Sequence, residues 1–547
     1  MARIVCCSAS ALFSSLVWIL VATGPTATSS RGGFAEGFTA RRPRLLALPS
    51  SPTSSTTPTR TSTPTFTPSP RYAFVRGGGA ASALEATATD AAGSQSLSSP
   101  ASFELPTWDD LESIVEESKN NGAPEQKPVL TLYRDTNGWC PFCERVWVAV
   151  RAKGLPYQET LVPLQGKPEW YKQMVPTGLV PAVLFHGDQA ENEEETDTPS
   201  TPNTRRELVW ESDAILRALD AKFPDTVRLM RDDDEDFNEA LKLQDRVQAA
   251  GFKMAYANRN GTLTDAEIEE HRSAFGGVLD ELDSALATVQ EQQTGDGACF
   301  RLGPDFSGLD AIMVPTLERW RHQLPLTENF DILEGRPHLE AWFDHMEAFP
   351  AFGARIAGDE YSWTATASMF LRYFGGGEDK PKVAAGIARA DAAAEELAEG
   401  FSTAHASASS TTTTTTSALE AANKLVSNHA AVLKDCLGGS EPPKSQGHIP
   451  RAGASAEETV DALLRHVVVR LLQHKAVEEN GATSATETLP TSMPMPRDLV
   501  MENDDAIQGA LALRTVAKRL CVPRDMGAPS AALLRGILCT VADDLED

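Results

Sequence analysis

The sequence predicts an α/β domain that continues into an all-helical region, with a further helical extension behind it. Three observations carry that expectation. Between residues 127 and 225, short β-branched or aromatic runs alternate with amphipathic helical stretches in the order β-α-β-α-β-β-α. From 226 to 375 helical periodicity takes over without strand signals. From 376 to 547 the chain is Ala-rich and helical in pattern, broken by low-complexity stretches such as Thr411–Thr416.

Each element has a local reason. Residues 128–134 (PVLTLYR) are rich in strand formers, and 140–153 (CPFCERVWVAVRAK) place Val146, Trp147 and Val150 on one helical face that Gly154 ends. Strands follow at 157–163, 181–186 and 207–210, with a short helix at 168–175 between the first two. Residues 212–223 (SDAILRALDAKF) space Ile215, Leu216 and Leu219 to face a core. This is the element order of a thioredoxin-like domain. Residues 188–206 interrupt it with an acidic, Thr/Pro-rich insertion too polar to be buried. Helices are expected at 236–258, 264–292, 308–323 and 336–345, the last running on to about 357. A short helix at 108–119 falls within a linker spanning 77–126.

At 547 residues the chain has room for about three domains. Its net charge of −27 argues against a nucleic-acid partner, which calls for a basic face. The charge is uneven: residues 1–84 hold eight Arg, no Lys and one acid, so they carry +7 and the remainder carries −34. Residues 1–23 join a basic start to a short apolar run and read as a secretory signal peptide, with a membrane anchor as the alternative. Residues 24–76, rich in Ser, Thr, Pro and Arg, match an organelle transit peptide or a disordered linker. The two together resemble the two-part leader of proteins sent to plastids with extra membranes; the other reading is a secretory address. No further membrane span is expected in the mature chain. Of eight Cys, Cys6 and Cys7 lie in the leader, and of the others only Cys140 and Cys143 form a close pair, so no disulfide framework is expected and a reducing compartment fits.

That pair carries the chemistry. A thiol reacts as thiolate. Cys140 stands between a strand and a helix whose first position is Pro141, so unpaired N–H groups and the positive end of the helix face it and favour the thiolate. Cys143 lies one turn on, where it either resolves a mixed disulfide on Cys140 or serves only as a small buried hydrophobe. A zinc site is not expected, because no second close Cys/His pair follows. Pro181 opens a strand at its tolerated first position. Glu211 and Ser212 begin a helix; Ser212 can cap it or, with the helix N–H groups, hold a carboxylate, while Glu211 can accept from an ammonium.

The stretches CPFCERVWVAVRAKGLPY (140–157), KPEWYKQMVPTGLVPAV (167–183) and VWESDAILRALDAKFPD (209–225) resemble the glutathione transferase superfamily, above all its cysteine-type omega and lambda classes. RPHLEAWFDHMEAFPAF (336–352) resembles the closing helices of that family's second domain, and Ser307 to Asp310 its buried capping box. The resemblance covers about 250 residues. It implies a thioredoxin-like glutathione-binding domain at 127–225, a helical domain at 226–375 and an extension at 376–547 outside the family pattern. It implies Cys140 as the catalytic thiol. Phe142, Lys167, Val180, Pro181, Glu211 and Ser212 would hold glutathione as co-substrate, with the backbone of Val180 pairing with the cysteinyl unit and Pro181 cis. Two features depart from it: the second Cys, which leans toward glutaredoxin-like behaviour, and the insertion at 188–206.

The function expected is glutathione-dependent thiol transfer or reduction through a mixed disulfide on Cys140. Its second substrate would be a protein or small-molecule mixed disulfide, dehydroascorbate or a glutathionyl-ketone. Classical conjugation and a non-catalytic binding or scaffold role are the alternatives. A homodimer and a protein partner for the extension are compatible with the sequence. Phe275, Tyr256, Trp320 and Trp342 are candidates for the second-substrate pocket or for core.

Overall fold

The computed structural model describes residues 105–120, 126–187, 206–256, 263–292, 299–374, 380–402, 415–437, 451–479 and 503–546. The expected leader and all but the last residue of the acidic insertion lie outside the described residues.

A four-stranded sheet organises the first half. Its strands are β1 (Leu130–Asp135), β2 (Tyr157–Val162), β3 (Ala182–Phe185) and β4 (Glu207–Trp210), in spatial order β2-β1-β3-β4. β1 pairs parallel with β2 and antiparallel with β3, and β4 is antiparallel to β3. All of β1 is buried, as befits a central strand. The parallel pair needs a crossover, which helix α2 (Pro141–Ala152) supplies. Pro141 sets its first turn, and Gly154, at φ +65°, provides the left-handed residue that stops it. Val146, Trp147 and Val150 are buried, as their spacing requires. The short α3 (Glu169–Met174) and α4 (Ser212–Lys222) complete the domain, with Ile215, Leu216 and Leu219 fully buried.

The second region comprises α5 (Glu235–Tyr256), α6 (Asp265–Gln292), α7 (Gly308–Thr327) and α8 (Pro337–Ala348). Helices α5 and α7 meet so closely at Gly251 that a Cβ there would stand 2.3 Å from the Trp320 ring. The expected capping box opens α7: Ser307 N–H donates to Asp310 Oδ2 at 2.9 Å, and Trp342 Nε1–H donates to Asp310 Oδ1 at 3.0 Å. Phe275, Trp320 and Trp342 are core, whereas Tyr256 is exposed. The sheet, α2 and this helical region share one apolar core.

A second, separate core lies in the extension. Helix α9 (Glu360–Phe374) packs on α7 and leads into α10 (Pro381–Glu399), which packs on both. Beyond them α11 (Thr415–Cys436), α12 (Glu457–Glu479), α13 (Asn503–Arg519) and α14 (Ala528–Glu546) pack on one another. Helix α1 (Trp108–Asn120), the short helix expected in the linker, is a fifth member of this bundle. Its Leu111 and Val115 are buried in the second core. Trp108 Nε1–H donates to Asp461 Oδ1 at 2.7 Å, and its ring stacks on His429 with centroids 4.3 Å apart. No helix among the described residues is long and apolar enough to cross a membrane.

His466 sits in the bundle core with 0% exposure, and among the described residues neither ring nitrogen has a hydrogen-bond partner. Burial first, then the Arg470 charge, pushes its pKa down to about 4 from 6.5. The folded state therefore binds fewer protons than the unfolded chain below 6.5. This contribution to stability is full above that value and is lost as pH falls through the window toward about 4. His466→Leu removes both the titration and the unpaired polar atoms. We expect it to raise stability at neutral pH by about 1–2 kcal/mol. It should also remove roughly 2 kcal/mol of the loss between about pH 7 and 5. Paired thermal melts of the two proteins at both pH values measure this.

Candidate functional site

The strand register gathers the candidate residues at one end of the sheet. Asp135, the last residue of β1, pairs with Val162, the last of β2, and the loop beyond Val162 brings Lys167 to the same end. Ala182 pairs with Tyr133 on one side and Trp210 on the other. Val180 and Pro181, just before it, therefore lie beside the end of β1 and beside Glu211. The N-termini of α2 and α4 open at this end, carrying Cys140 and Ser212.

Cys140 occupies the N-cap position of α2, with extended backbone (φ −76°, ψ 112°) and 4% exposure. Cys143, one turn on, is 1% exposed, and both thiols are free. Burial, then the neighbouring Cys140 and the charge of Asp135, push the Cys143 thiol well above its ordinary pKa. Lys167 is shifted downward by partial burial, opposed by attraction to the two cysteines, which places its ammonium within their field. Its Nζ also donates to the Leu164 carbonyl at 3.0 Å. Tyr171 feels the same pair and anchors the loop below it, its hydroxyl donating to the Leu179 carbonyl at 2.7 Å. The Val180–Pro181 peptide is cis and Val180 is buried.

Glu211 has φ 71° and ψ 121°, a left-handed conformation that costs a non-glycine residue about 1–3 kcal/mol and persists where the surroundings enforce it. Its side chain is exposed, yet partial enclosure and the Asp213 charge lift its carboxyl pKa. Ser212 is buried at the first turn of α4, and its hydroxyl reaches only Asp213, at 3.5 Å. Phe142 is buried in the first turn of α2 with the Arg145 guanidinium 4.9 Å from its ring centroid. Arg145 itself is buried, hydrogen-bonded to Gln248 and 3.7 Å from Asp213.

Three residues that the sequence reading did not single out shape this end of the sheet. Asp135 is fully buried; its Oδ2 accepts from the Trp139 backbone N–H at 2.8 Å. One carboxylate oxygen of Asp135 and the two cysteine sulfurs lie within 4.8 Å of one another, and no fourth His, Cys or carboxylate joins them among the described residues. Glu144, inside the CPFCER motif, is buried 2.7 Å from Arg319 of α7, close but poorly aligned for a hydrogen bond. Burial raises the Glu144 pKa while Arg319 opposes the rise. Arg319 also donates to the Gly138 carbonyl at 3.2 Å, fixing the loop ahead of Cys140. An acid ending an apolar strand directly upstream of C-x-x-C was the legible signal for Asp135; the Glu144–Arg319 pair spans too much sequence to leave one.

The extension closes over the same loop. A cavity of about 820 Å³ separates them, lined by Thr136 and Trp139 on one side and by Met369, Lys424, Asn428 and Cys521 on the other. Trp139 adjoins Cys140 in sequence, and its ring meets Phe370 at a centroid distance of 5.7 Å.

Comparison with known proteins agrees with this architecture. The model of the glutathione S-transferase N-terminal domain matches residues 139–222, and that of the C-terminal domain matches residues 265–345. The chain is 30% identical over 219 residues to Protein IN2-1 of Zea mays, covering 39% of this chain and 75% of that protein. It is 28% identical over 225 residues to Glutathione S-transferase L1 of Arabidopsis thaliana (41% and 80%) and 23% identical over 216 residues to Glutathione S-transferase omega-1 of Sus scrofa (40% and 76%). With a thioredoxin-like sheet, a helical second domain that holds a buried capping box, and both family models in order along it, the chain belongs to the glutathione S-transferase family.

Proposed function

We propose that this glutathione transferase works by thiol transfer, with Cys140 as the nucleophile and glutathione as the reductant. The observation that carries the reading is a cysteine at the N-cap of α2, the positive end of the helix, where first-turn N–H groups have no partner within the helix. Cys140 thiolate attacks the disulfide of a glutathionylated substrate at the glutathione sulfur, and the substrate leaves as a thiol. The mixed disulfide on Cys140 is then resolved by Cys143 or by a second glutathione. Similarity to lambda and omega transferases supports the class of reaction.

In this reading glutathione lies across the end of the sheet. Its cysteinyl backbone pairs with Val180 ahead of cis-Pro181, and Lys167 offers its ammonium. The γ-glutamyl carboxylate sits on the N–H groups of α4 beside the Ser212 hydroxyl, and its ammonium meets Glu211. The strained backbone of Glu211 supports a binding role at that point. Phe142 packs beneath the first turn that bears the thiol. The leader reading adds a proposed plastid address, which a fluorescent fusion of residues 1–76 tests: reporter secreted rather than imported would refute it.

Two measurements check the assignment. Oxidised glutathione is added to the full-length protein, and adducts are located by mass spectrometry. Cys140→Ser is expected to form no adduct and to lose thiol-transfer activity by at least about 1000-fold. Cys143→Ser is expected to accumulate the adduct that the wild type resolves. Full activity in Cys140→Ser sinks the proposal. Separately, Glu211→Gln is expected to raise the KM for glutathione about 10-fold or more, through loss of a charged contact, with a smaller change in kcat. An unchanged KM would remove Glu211 from the binding site.

A further inference from the structure

Among the described residues, Asp135 is the buried carboxylate grouped within 4.8 Å of the two thiols, and the scheme above gives it no task. Its Oδ2 is occupied by the Trp139 N–H, but its Oδ1 has no hydrogen-bond partner. Burying an unpaired carboxylate oxygen is costly, so such an atom calls for an explanation. The carboxylate has one at hand, for an oxygen of Asp135 lies within 4.8 Å of both sulfurs.

Cys143 poses the complementary problem. It is 1% exposed, so bulk water has little access to its proton, and its surroundings oppose ionisation. A thiol attacks a disulfide only as thiolate. To resolve a mixed disulfide on Cys140, Cys143 must therefore hand its proton to a group already inside the protein. The other charged and titratable groups around this point are Cys140 and Glu144 on α2, Arg319 on α7, and Lys167 and Tyr171 beyond β2. Arg319 cannot accept a proton, and Glu144 is held against Arg319. Asp135 is the carboxylate grouped with the two sulfurs.

We propose that Asp135 is the proton acceptor for Cys143 in the resolving step, an assignment that rests on the thiol-transfer reading. The Cys143 Sγ–H bond breaks and its proton passes to Asp135 Oδ1. The Cys143 sulfur forms a bond to Cys140 Sγ. The bond from Cys140 Sγ to the glutathione sulfur breaks, and its electron pair leaves with glutathione. The proton on Asp135 passes to that thiolate, which departs as neutral thiol. Two further glutathione molecules reduce the Cys140–Cys143 disulfide, restoring both thiols and leaving as one molecule of oxidised glutathione. Asp135 is unchanged at the end.

The test is a rapid-quench experiment on full-length protein mixed with oxidised glutathione, with the masses of mixed and internal disulfide followed in time across pH. In the wild type, conversion of one to the other is expected to be nearly independent of pH between about 6.5 and 8, because the internal base replaces hydroxide. Asp135→Asn keeps the acceptor for Trp139 N–H and removes the base. Conversion is expected to slow about 100-fold near neutrality and to rise about tenfold per pH unit, as free thiolate becomes the limiting species. An Asn variant with the wild-type rate and profile overturns the assignment. So does a wild-type rate that itself climbs about tenfold per pH unit over the same range, a result that needs no variant to fold. If no adduct ever forms on Cys140, or if Cys143→Ser converts its adduct as fast as wild type, the thiol-transfer reading or the part of Cys143 in it has failed, and the assignment falls with it.

Discussion

The Arg319 guanidinium, buried between three parts of the chain, is the contact on which the geometry of the thiol site depends. It faces Glu144 in the helix that carries both cysteines, donates to the carbonyl of Gly138 in the loop ahead of Cys140, and lies 4.5 Å from the Trp363 ring centroid in α9. One side chain of α7 thus positions the turn ahead of Cys140 and abuts α9. Its neighbour Glu318 accepts from the Gly358 backbone N–H at 2.8 Å, tying the segment that enters α9 to the same helix. A buried pair of this kind adds little net stability over well-packed apolar residues, but removing one partner strands the other charge at a cost of about 3–5 kcal/mol. What such a network supplies is position: the turn before Cys140 has one place to be.

Around that node the molecule separates binding from packing. The end of the sheet that bears the two cysteines is built from strand termini and helix N-termini, where backbone N–H groups and charges are available without disturbing a ladder. Phe275, Trp320 and Trp342 of the helical domain are given over to the core. The wall opposite Trp139 comes instead from the extension, which a compact two-domain transferase would not have. Arg355 reinforces the join, with its guanidinium 4.8 Å from the Trp147 ring and hydrogen-bonded to the Pro523 carbonyl at 2.7 Å.

The parts of this structure that sequence alone made legible are those governed by short-range rules. The strand runs, the helix begun by Pro141 and ended by Gly154, the Ser307–Asp310 capping box and the helix opened at Ser212 each follow from residues within a few positions of one another. The cysteines and the Val180–Pro181 step were likewise readable from spacing, and family likeness added Lys167 and Phe142. What could not be read was pairing across distance. Glu144 and Arg319 are separated by most of two domains, and nothing in CPFCER says which cation will meet its acid. Asp135 is the exception, since an acid closing a strand just ahead of C-x-x-C is a local signal, and only its burial beside both sulfurs had to come from the fold. The short helix at Trp108 has the composition of a linker helix, because the surface that buries Leu111 and Val115 is encoded at the other end of the chain.

That last arrangement has a temporal side. Trp108 and its partner Asp461 are 353 residues apart, and the helices that α1 packs on follow the entire transferase body. A ribosome delivers the sheet and its helical companion first, as a unit whose apolar core is already complete. Throughout that interval α1 waits with its apolar face uncovered, until α11 and α12 emerge to receive it. The second core therefore closes late: it needs α11 and α12, which follow the whole transferase body, and a chain stopped before them leaves the apolar face of α1 unburied.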